Sequence, residues 1–266
     1  MKQSFNYHGH TQRCGHAVGE DEEYVLAAIK AGYQKIGFSD HAPYPGQYHA
    51  HERMDVSELQ GYIASIKELQ EKYKDQIDIY IGLEIENYQA FKDELRAYRD
   101  QMDYCIIGQH SMAVRDGEAL GDYYVENDDA HVLLYAGQIK EALEEGMVDI
   151  VAHPDLFMFG REQWSDSCTK AARIICDAAK KADVPLEVNL GGIKYGIRTL
   201  GKEKRIAYPY RKFWEIAQQV GNTVVYGLDV HAPNEYLMTE RFQIVDDLLQ
   251  GLQLSFLDDL SFTHKL

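Results

Sequence analysis

Short apolar runs alternate with longer amphipathic stretches about seven times along the 266 residues. Strands are predicted at 4–8, 34–39, 77–84, 103–108, 147–152, 185–190 and 222–228. Helices are predicted near 21–31, 57–74, 88–100, 128–145, 167–182, 209–220 and 239–250. In the fifth helix Cys168, Ala171, Ala172, Ile175, Ala178, Ala179 and Ala182 recur at helical spacing. Ser57 with Gln60 reads as a capping box, and Gly32 as a helix stop. Such alternation of strand and helix favours a parallel sheet, open or closed into a barrel. No linker, low-complexity tract or charge block divides the chain, so residues 1–266 are expected to form a single domain.

Two long connections, 40–56 and 191–208, each follow a strand and in a barrel would lie at the catalytic face. At 45% hydrophobic residues the chain can bury an ordinary core. The first strand begins by about Ser4, leaving no room for a signal peptide, and no apolar run reaches the roughly 18 residues of a membrane span. The sequence therefore predicts a cytoplasmic protein without a membrane partner. Cys14, Cys105, Cys168 and Cys176 form no CxxC pair, and the last three are expected to be core thiols. Cys14 lies within a histidine cluster. A net charge of −16 disfavours a surface that tracks the phosphates of long nucleic acid. It does not exclude a small phosphorylated substrate held by metals and a few arginines.

Nearly every predicted strand ends on a metal-capable side chain. His8 and His10 are two apart, so in an extended strand both imidazoles face one way, although such pairs also occur on exposed strands. His16 follows. Asp40 and His41, Glu84, His110, His153 with Asp155, and Asp229 with His231 close the later strands. A barrel would gather these ends around one mouth. Histidine with carboxylate suits zinc, manganese or iron.

The motifs HGHTQRCGH, SDHAP, GLE, GQHS, AHPD and LDVHAP, in this order over residues 8 to 231, resemble the polymerase and histidinol phosphatase (PHP) superfamily. RCGHA and GFSDHAP look most like its histidinol-phosphate phosphatase branch. The resemblance implies a distorted (β/α)7 TIM-like barrel, a metal site at the C-terminal strand ends, and three divalent ions. It assigns His8, His10, Glu84 and Asp229 to one ion, and Glu84, His110 and His153 to a second. It assigns His16, His41 and His231 to a third. Glu84, Asp229 and His231 are then the expected catalytic residues.

What this implies is a phosphomonoesterase acting on L-histidinol phosphate in histidine biosynthesis. A hydroxide bridging the first two ions would attack phosphorus in line with the ester oxygen. Arg161 and Arg198 are the favoured phosphate contacts, with Arg205, Lys194 and Arg13 behind them. Glu86 and Asp155 are expected near the ligands or the substrate, and Asp40 either orients an imidazole or is exposed. Loop 42–54 and Glu86 could wall the substrate, with His49 and His51 as lid residues; His131 and His264 are expected to face solvent. The alternatives are another small phosphate ester, such as a nucleotide or sugar phosphate, and an exonuclease-like module. The acidic balance disfavours the latter. Oligomeric state is not readable.

Overall fold

The computed structural model describes residues 2–46, 52–115, 118–125 and 127–265. The first half runs β1 (Phe5–Asn6), α1 (Asp21–Ala31), β2 (Lys35–Phe38), α2 (Leu59–Tyr73), β3 (Asp78–Ile85), α3 (Lys92–Gln101) and β4 (Tyr104–Ile107). A hairpin of β5 (Ser111–Arg115) and β6 (Glu118–Asp122) follows, then α4 (Asp129–Glu144), β7 (Ile150–Val151), α5 (Asp166–Ala182) and β8 (Leu186–Asn189). A second hairpin, β9 (Arg198–Leu200) with β10 (Glu203–Arg205), precedes α6 (Arg211–Val220), β11 (Thr223–Gly227), α7 (Glu240–Leu248) and β12 (Ser255–Phe256).

The helices start and stop where local chemistry says they should. Glu20 and Glu23 cap α1 reciprocally, and Gly32 ends it at φ 88°, a conformation glycine adopts freely. The capping box before α2 is Asp55 with Glu58 rather than Ser57 with Gln60, because a 3-10 turn at Val56–Glu58 comes first. The periodic face of α5 is buried as its spacing predicts, apart from Ala182 at its end.

Strands β1, β2, β3, β4, β7, β8, β11 and β12 pair in that order, every pair parallel. The sheet curls until β11 meets β1. There Gly9 bridges Val230, and the Gln3 side chain exchanges two bonds with the Tyr226 backbone at 2.8 and 2.9 Å. The Leu228 N–H donates to Asn6 Oδ1 at 2.9 Å. Side chains thus complete the closure that a strand ladder would otherwise make, giving the distorted TIM-like α/β barrel the sequence predicts.

Alternation along each strand sorts residues between helix layer and barrel interior. Ile79, Ile81, Leu83 and Ile85 of β3 join the core beneath the helices, while Tyr80 lies in a separate interior cluster. On that interior parity Gly82 lies against the Tyr104 ring, and Glu84 comes next. Leu186 and Val188 of β8 likewise face the helices and leave Glu187 and Asn189 to the inside. Glycines make the room. A Cβ on Gly108 would lie 1.7 Å from Glu84 Oε1, and one on Gly227 would lie 1.6 Å from Glu187 Oε1.

The far end of the barrel is plugged. Phe262 stacks on Tyr104 at 4.9 Å and meets Tyr7 edge-on at 4.8 Å, with Leu257 and Leu260 beside it. His264, expected to face solvent, is only half-exposed; it stacks on Tyr80 at 4.6 Å and sits 3.2 Å from Asp103. The tail and the two hairpins escape sequence patterning because their segments are too short to carry a sustained apolar period.

Tyr104 ties the plug to the sheet, its hydroxyl lying 2.8 Å from the Tyr7 carbonyl and 3.0 Å from that of Phe38. Tyr104→Phe should lower unfolding free energy by about 1–3 kcal/mol in urea denaturation, since it strands buried acceptors. An unchanged midpoint would contradict this role.

Candidate metal centre

Glu84, on β3 and 1% exposed, is ringed by five imidazoles. His41 Nδ1 lies 3.0 Å from its carboxylate, His153 Nε2 3.1 Å, His10 Nε2 3.3 Å, His8 Nε2 3.5 Å and His110 Nε2 3.6 Å. Asp229, just past β11, is 3.6 Å from both His8 and His10 and 3.3 Å from His231 Nδ1. His231 Nε2 lies 2.9 Å from His16 Nε2 at the mouth. His153 and Asp229 hold positive φ angles of 27° and 51°, as does Asp183 (56°) at the end of α5.

Burial opposes charge on Glu84, but His110, His8 and His41 outweigh it and hold its carboxyl well below the usual range. Burial likewise opposes charge on His8, yet Glu187, Asp229 and Glu84 together raise its pKa well above the ordinary value. Burial, helped by His41 and His231, keeps His10 well below it. For His231, burial with help from Lys194 and His16 wins over Asp229 and brings the pKa to about 4.

Divalent cations fit this donor set. Glu84, Glu187 and Asp229 are three carboxylates in the barrel mouth, and among the described residues none is ion-paired to a lysine or arginine side chain. The buried atoms His8 Nε2, His10 Nδ1, His153 Nδ1 and Glu84 Oε2 have no hydrogen-bond partner. His8 commits Nδ1 to Glu187 at 2.8 Å, so in its neutral form a lone pair on Nε2 confronts carboxylate oxygens of Glu84 and Asp229. A cation among them turns that repulsion into coordination. Donors bound at roughly 2.0–2.2 Å lie about 3.0–3.5 Å apart, close to the separations found here. Among the described residues four donor groups of this kind occur: His8, His10 and Asp229; His8, Glu84 and His153; His10, His41 and Glu84; and His10, Cys14 and His231.

The expected ligands His8, His10, His16, His41, Glu84, His110, His153, Asp229 and His231 therefore line one cavity of about 660 Å³. His41 borders both Glu84, at 3.0 Å, and the His16 ring, at 5.6 Å between ring centres. The carboxylates that were left over divide. Glu86 accepts from His110 Nδ1 at 3.3 Å and Arg53 at 2.8 Å; burial works to raise its carboxyl, but Arg53 and His110 bring it down to about 2. Asp155 is instead spent on Tyr210 N–H and Trp214 Nε1 at the start of α6. Asp40 is buried and holds the Thr11 N–H and hydroxyl rather than an imidazole.

The expected phosphate arginines rest on neighbouring loop groups. Arg161 is bound to Asp129, the Asn127 carbonyl and Ser165, outside the cavity. Arg198 lies over the Phe159 ring at 4.4 Å and donates to the Phe159 carbonyl at 3.1 Å. Arg205 stitches loop carbonyls, and Arg13 pairs with Asp21. The cations that line the cavity are Arg53 and Lys194. Lys194 Nζ donates to the Asp229 carbonyl at 2.5 Å and pairs with Glu235 at 2.7 Å. His49 and His51 lie outside the described residues. No described helix is long and apolar enough to cross a membrane.

A family model for the PHP domain matches residues 6–190. A probable histidinol-phosphatase of Deinococcus radiodurans is 29% identical over 235 residues, covering 86% of each chain. The histidinol-phosphatase of Bacillus subtilis is 28% identical over 148 residues, 52% of this chain and 55% of that one. Among solved structures, histidinol phosphate phosphatase from Lactococcus lactis, complexed with zinc, L-histidinol and phosphate, superposes with a TM-score of 0.70. That match is 18% identical and covers 96% of this chain and 95% of the other.

Glu187 escaped the sequence reading. Its only signal was an acid inside an apolar strand, on the parity that faces the barrel. It fixes His8 through Nδ1 and also accepts from the His153 N–H at 3.0 Å and Asn189 at 2.8 Å. Carboxylates placed this way orient a ligand and raise its basicity. Glu187→Gln should keep the fold and weaken metal binding about 10–100-fold in competition with a chromophoric chelator. Undiminished affinity would remove Glu187 from this role.

Proposed function

We propose, on the premise that this chain belongs to the PHP domain family, that it is a metal-dependent phosphomonoesterase whose substrate is L-histidinol phosphate. The observation that carries the reading is the ring of five imidazoles around buried Glu84 at one end of an open cleft. The substrate follows from the names of its relatives in Deinococcus and Bacillus.

Three ions are proposed, zinc, manganese or iron. His8, His10, Glu84 and Asp229 would hold the first, Glu84, His110 and His153 the second, and His16, His41 and His231 the third. Such ions, when bound, supply an acidified water as nucleophile and positive charge for the phosphate oxygens. The chain's own residues do the rest. Glu84 holds the neighbouring ligand sets at a fixed spacing, and Glu187 and Glu86 aim His8 and His110. Lys194, anchored by Glu235 beside Asp229, presents an ammonium to a phosphate oxygen. Arg53 lines the same cleft with its Nε buried and without a partner, and adds a second cation. Asp229 and His231, adjacent to Lys194, complete the reacting end.

Metal-loaded protein should release phosphate from L-histidinol phosphate with a kcat/KM at least about tenfold above nucleotides, sugar phosphates and phosphotyrosine. No preference would defeat this substrate while leaving the phosphatase class intact. Glu84→Gln should lower kcat/KM and metal content together, the rate by about 100-fold or more. Full activity at full metal occupancy in that variant would sink the assignment.

A further inference from the structure

At the opposite end of the barrel from the histidines, the last residues of the chain lie across the base of the sheet. Leu257, Leu260 and Phe262 pack on an interior cluster that contains Tyr7, Tyr80 and Tyr104. The Phe262 ring is parallel to that of Tyr104 within 9° at 4.9 Å, and it meets Tyr7 at 4.8 Å and Tyr80 at 5.8 Å edge-on. Polar anchors on both sides hold this ring in register. Before it, the Leu257 N–H donates to the Val224 carbonyl at 2.9 Å and the Tyr7 hydroxyl to the Leu260 carbonyl at 2.6 Å. Lys35 holds Asp259 and Ser261. After it, the Lys265 N–H donates to Asp103 at 2.8 Å, and Lys265 Nζ to the Arg99 carbonyl at 2.6 Å. Covering apolar rings is non-directional and asks for no such register. The tail thereby touches β2, β3, β4 and β11, and Tyr7 just past β1. Each of these strands leads to a metal donor.

Tyr104 stands between the tail and those donors. It is fully buried, and its ring and hydroxyl fill the space that side chains at Gly37 and Gly82 would need. Its hydroxyl lies 2.8 Å from the Tyr7 carbonyl and 3.0 Å from that of Phe38. The β1–β2 ladder pairs only Phe5 with Lys35 and Asn6 with Ile36, and the next backbone bond between these segments runs from Ser39 to Gly9 at 2.9 Å. Tyr104 therefore bridges the stretch where the two segments leave their ladder. His8 and His10 follow at once on one, and His41 on the other. Gly82, against the same ring, precedes Glu84 by two residues. With glycine backbone on one side, the ring is confined by Phe262 on another.

We propose that the C-terminal tail positions the metal centre: Phe262 confines Tyr104, whose hydroxyl sets the spacing of the segments that bring His8, His10 and His41 to Glu84. The inference rests on the metal-dependent reading of that centre. Neither Phe262 nor Tyr104 lines the cavity, and both are positioning residues that act through the backbone. Groups outside the ligands that hold them in place tune metal affinity.

The test reads zinc affinity of the full chain by competition with a chromophoric chelator, at a temperature where far-UV circular dichroism shows each variant folded. Phe262→Ala should weaken affinity about tenfold or more, whereas Phe262→Tyr, which keeps the ring, should retain it. Should Phe262→Ala not fold, Phe262→Leu is read in its place. Tyr104→Phe keeps the ring but loses both bonds, and should weaken affinity by a similar factor. Adding Phe262→Ala to it should weaken affinity little further, because the tail acts through that hydroxyl. Leu143→Ala truncates a buried side chain of α4 in the helix layer. It should lower the unfolding midpoint and leave zinc affinity unchanged. Undiminished affinity in the Phe262 truncation, or an equal loss in Leu143→Ala, would overturn the proposal. So would independent, additive losses from the Phe262 and Tyr104 variants. A wild-type chain that takes up no zinc would defeat the metal-dependent reading as well, whereas wild-type uptake matched by the variants defeats the positioning role alone.

Discussion

A carboxylate taken out of water costs several kcal/mol unless compensating charge meets it, and Glu84 is almost wholly buried. Its surroundings are organised around that debt. Five imidazoles reach it from four strand ends, and no lysine or arginine among the described residues pairs with it. With burial keeping His10 and His41 toward the neutral form, the imidazoles do not balance three neighbouring carboxylates, Glu84, Glu187 and Asp229. Divalent cations can, and the unpartnered nitrogens around Glu84 are where they would be held.

The barrel is shaped to place that carboxylate. Interior positions below it are filled by Tyr7, Tyr80 and Tyr104, with the C-terminal Phe262 as the plug, which keeps the acidic layer at the mouth end. Gly108 and Gly227 leave the space that Glu84 and Glu187 occupy. Positive φ at His153 and Asp229 turns two further donors inward. Packing at one end and ligand geometry at the other are parts of the same interior column.

Much of this was legible in the sequence because strand ends in a parallel barrel share one face. The nine expected metal ligands from His8 to His231 line one cavity, whereas Asp40 and Asp155 do not. The strands and helices were legible from period alone. What escaped was set by contacts distant in sequence. The resting contacts of Arg161 with Asp129 and of Arg198 with the Phe159 ring have no local signal. Glu187 looked like an interruption of an apolar strand until the parity of β8 turned it toward His8. The hairpins β5–β6 and β9–β10 have too little apolar alternation to announce themselves. Tyr124, Phe159, Tyr195 and Tyr208 reach the cavity from four separate connections, so no local pattern encodes their meeting.

The cleft lined by the histidines depends on the charge of buried Glu84 being balanced. The most direct test is the metal-to-protein ratio by plasma mass spectrometry after saturation with zinc or manganese and desalting. A ratio of about three per chain, falling when Glu84 is replaced by Gln, is the expected result. A ratio of about one or less in the unmodified protein would contradict it.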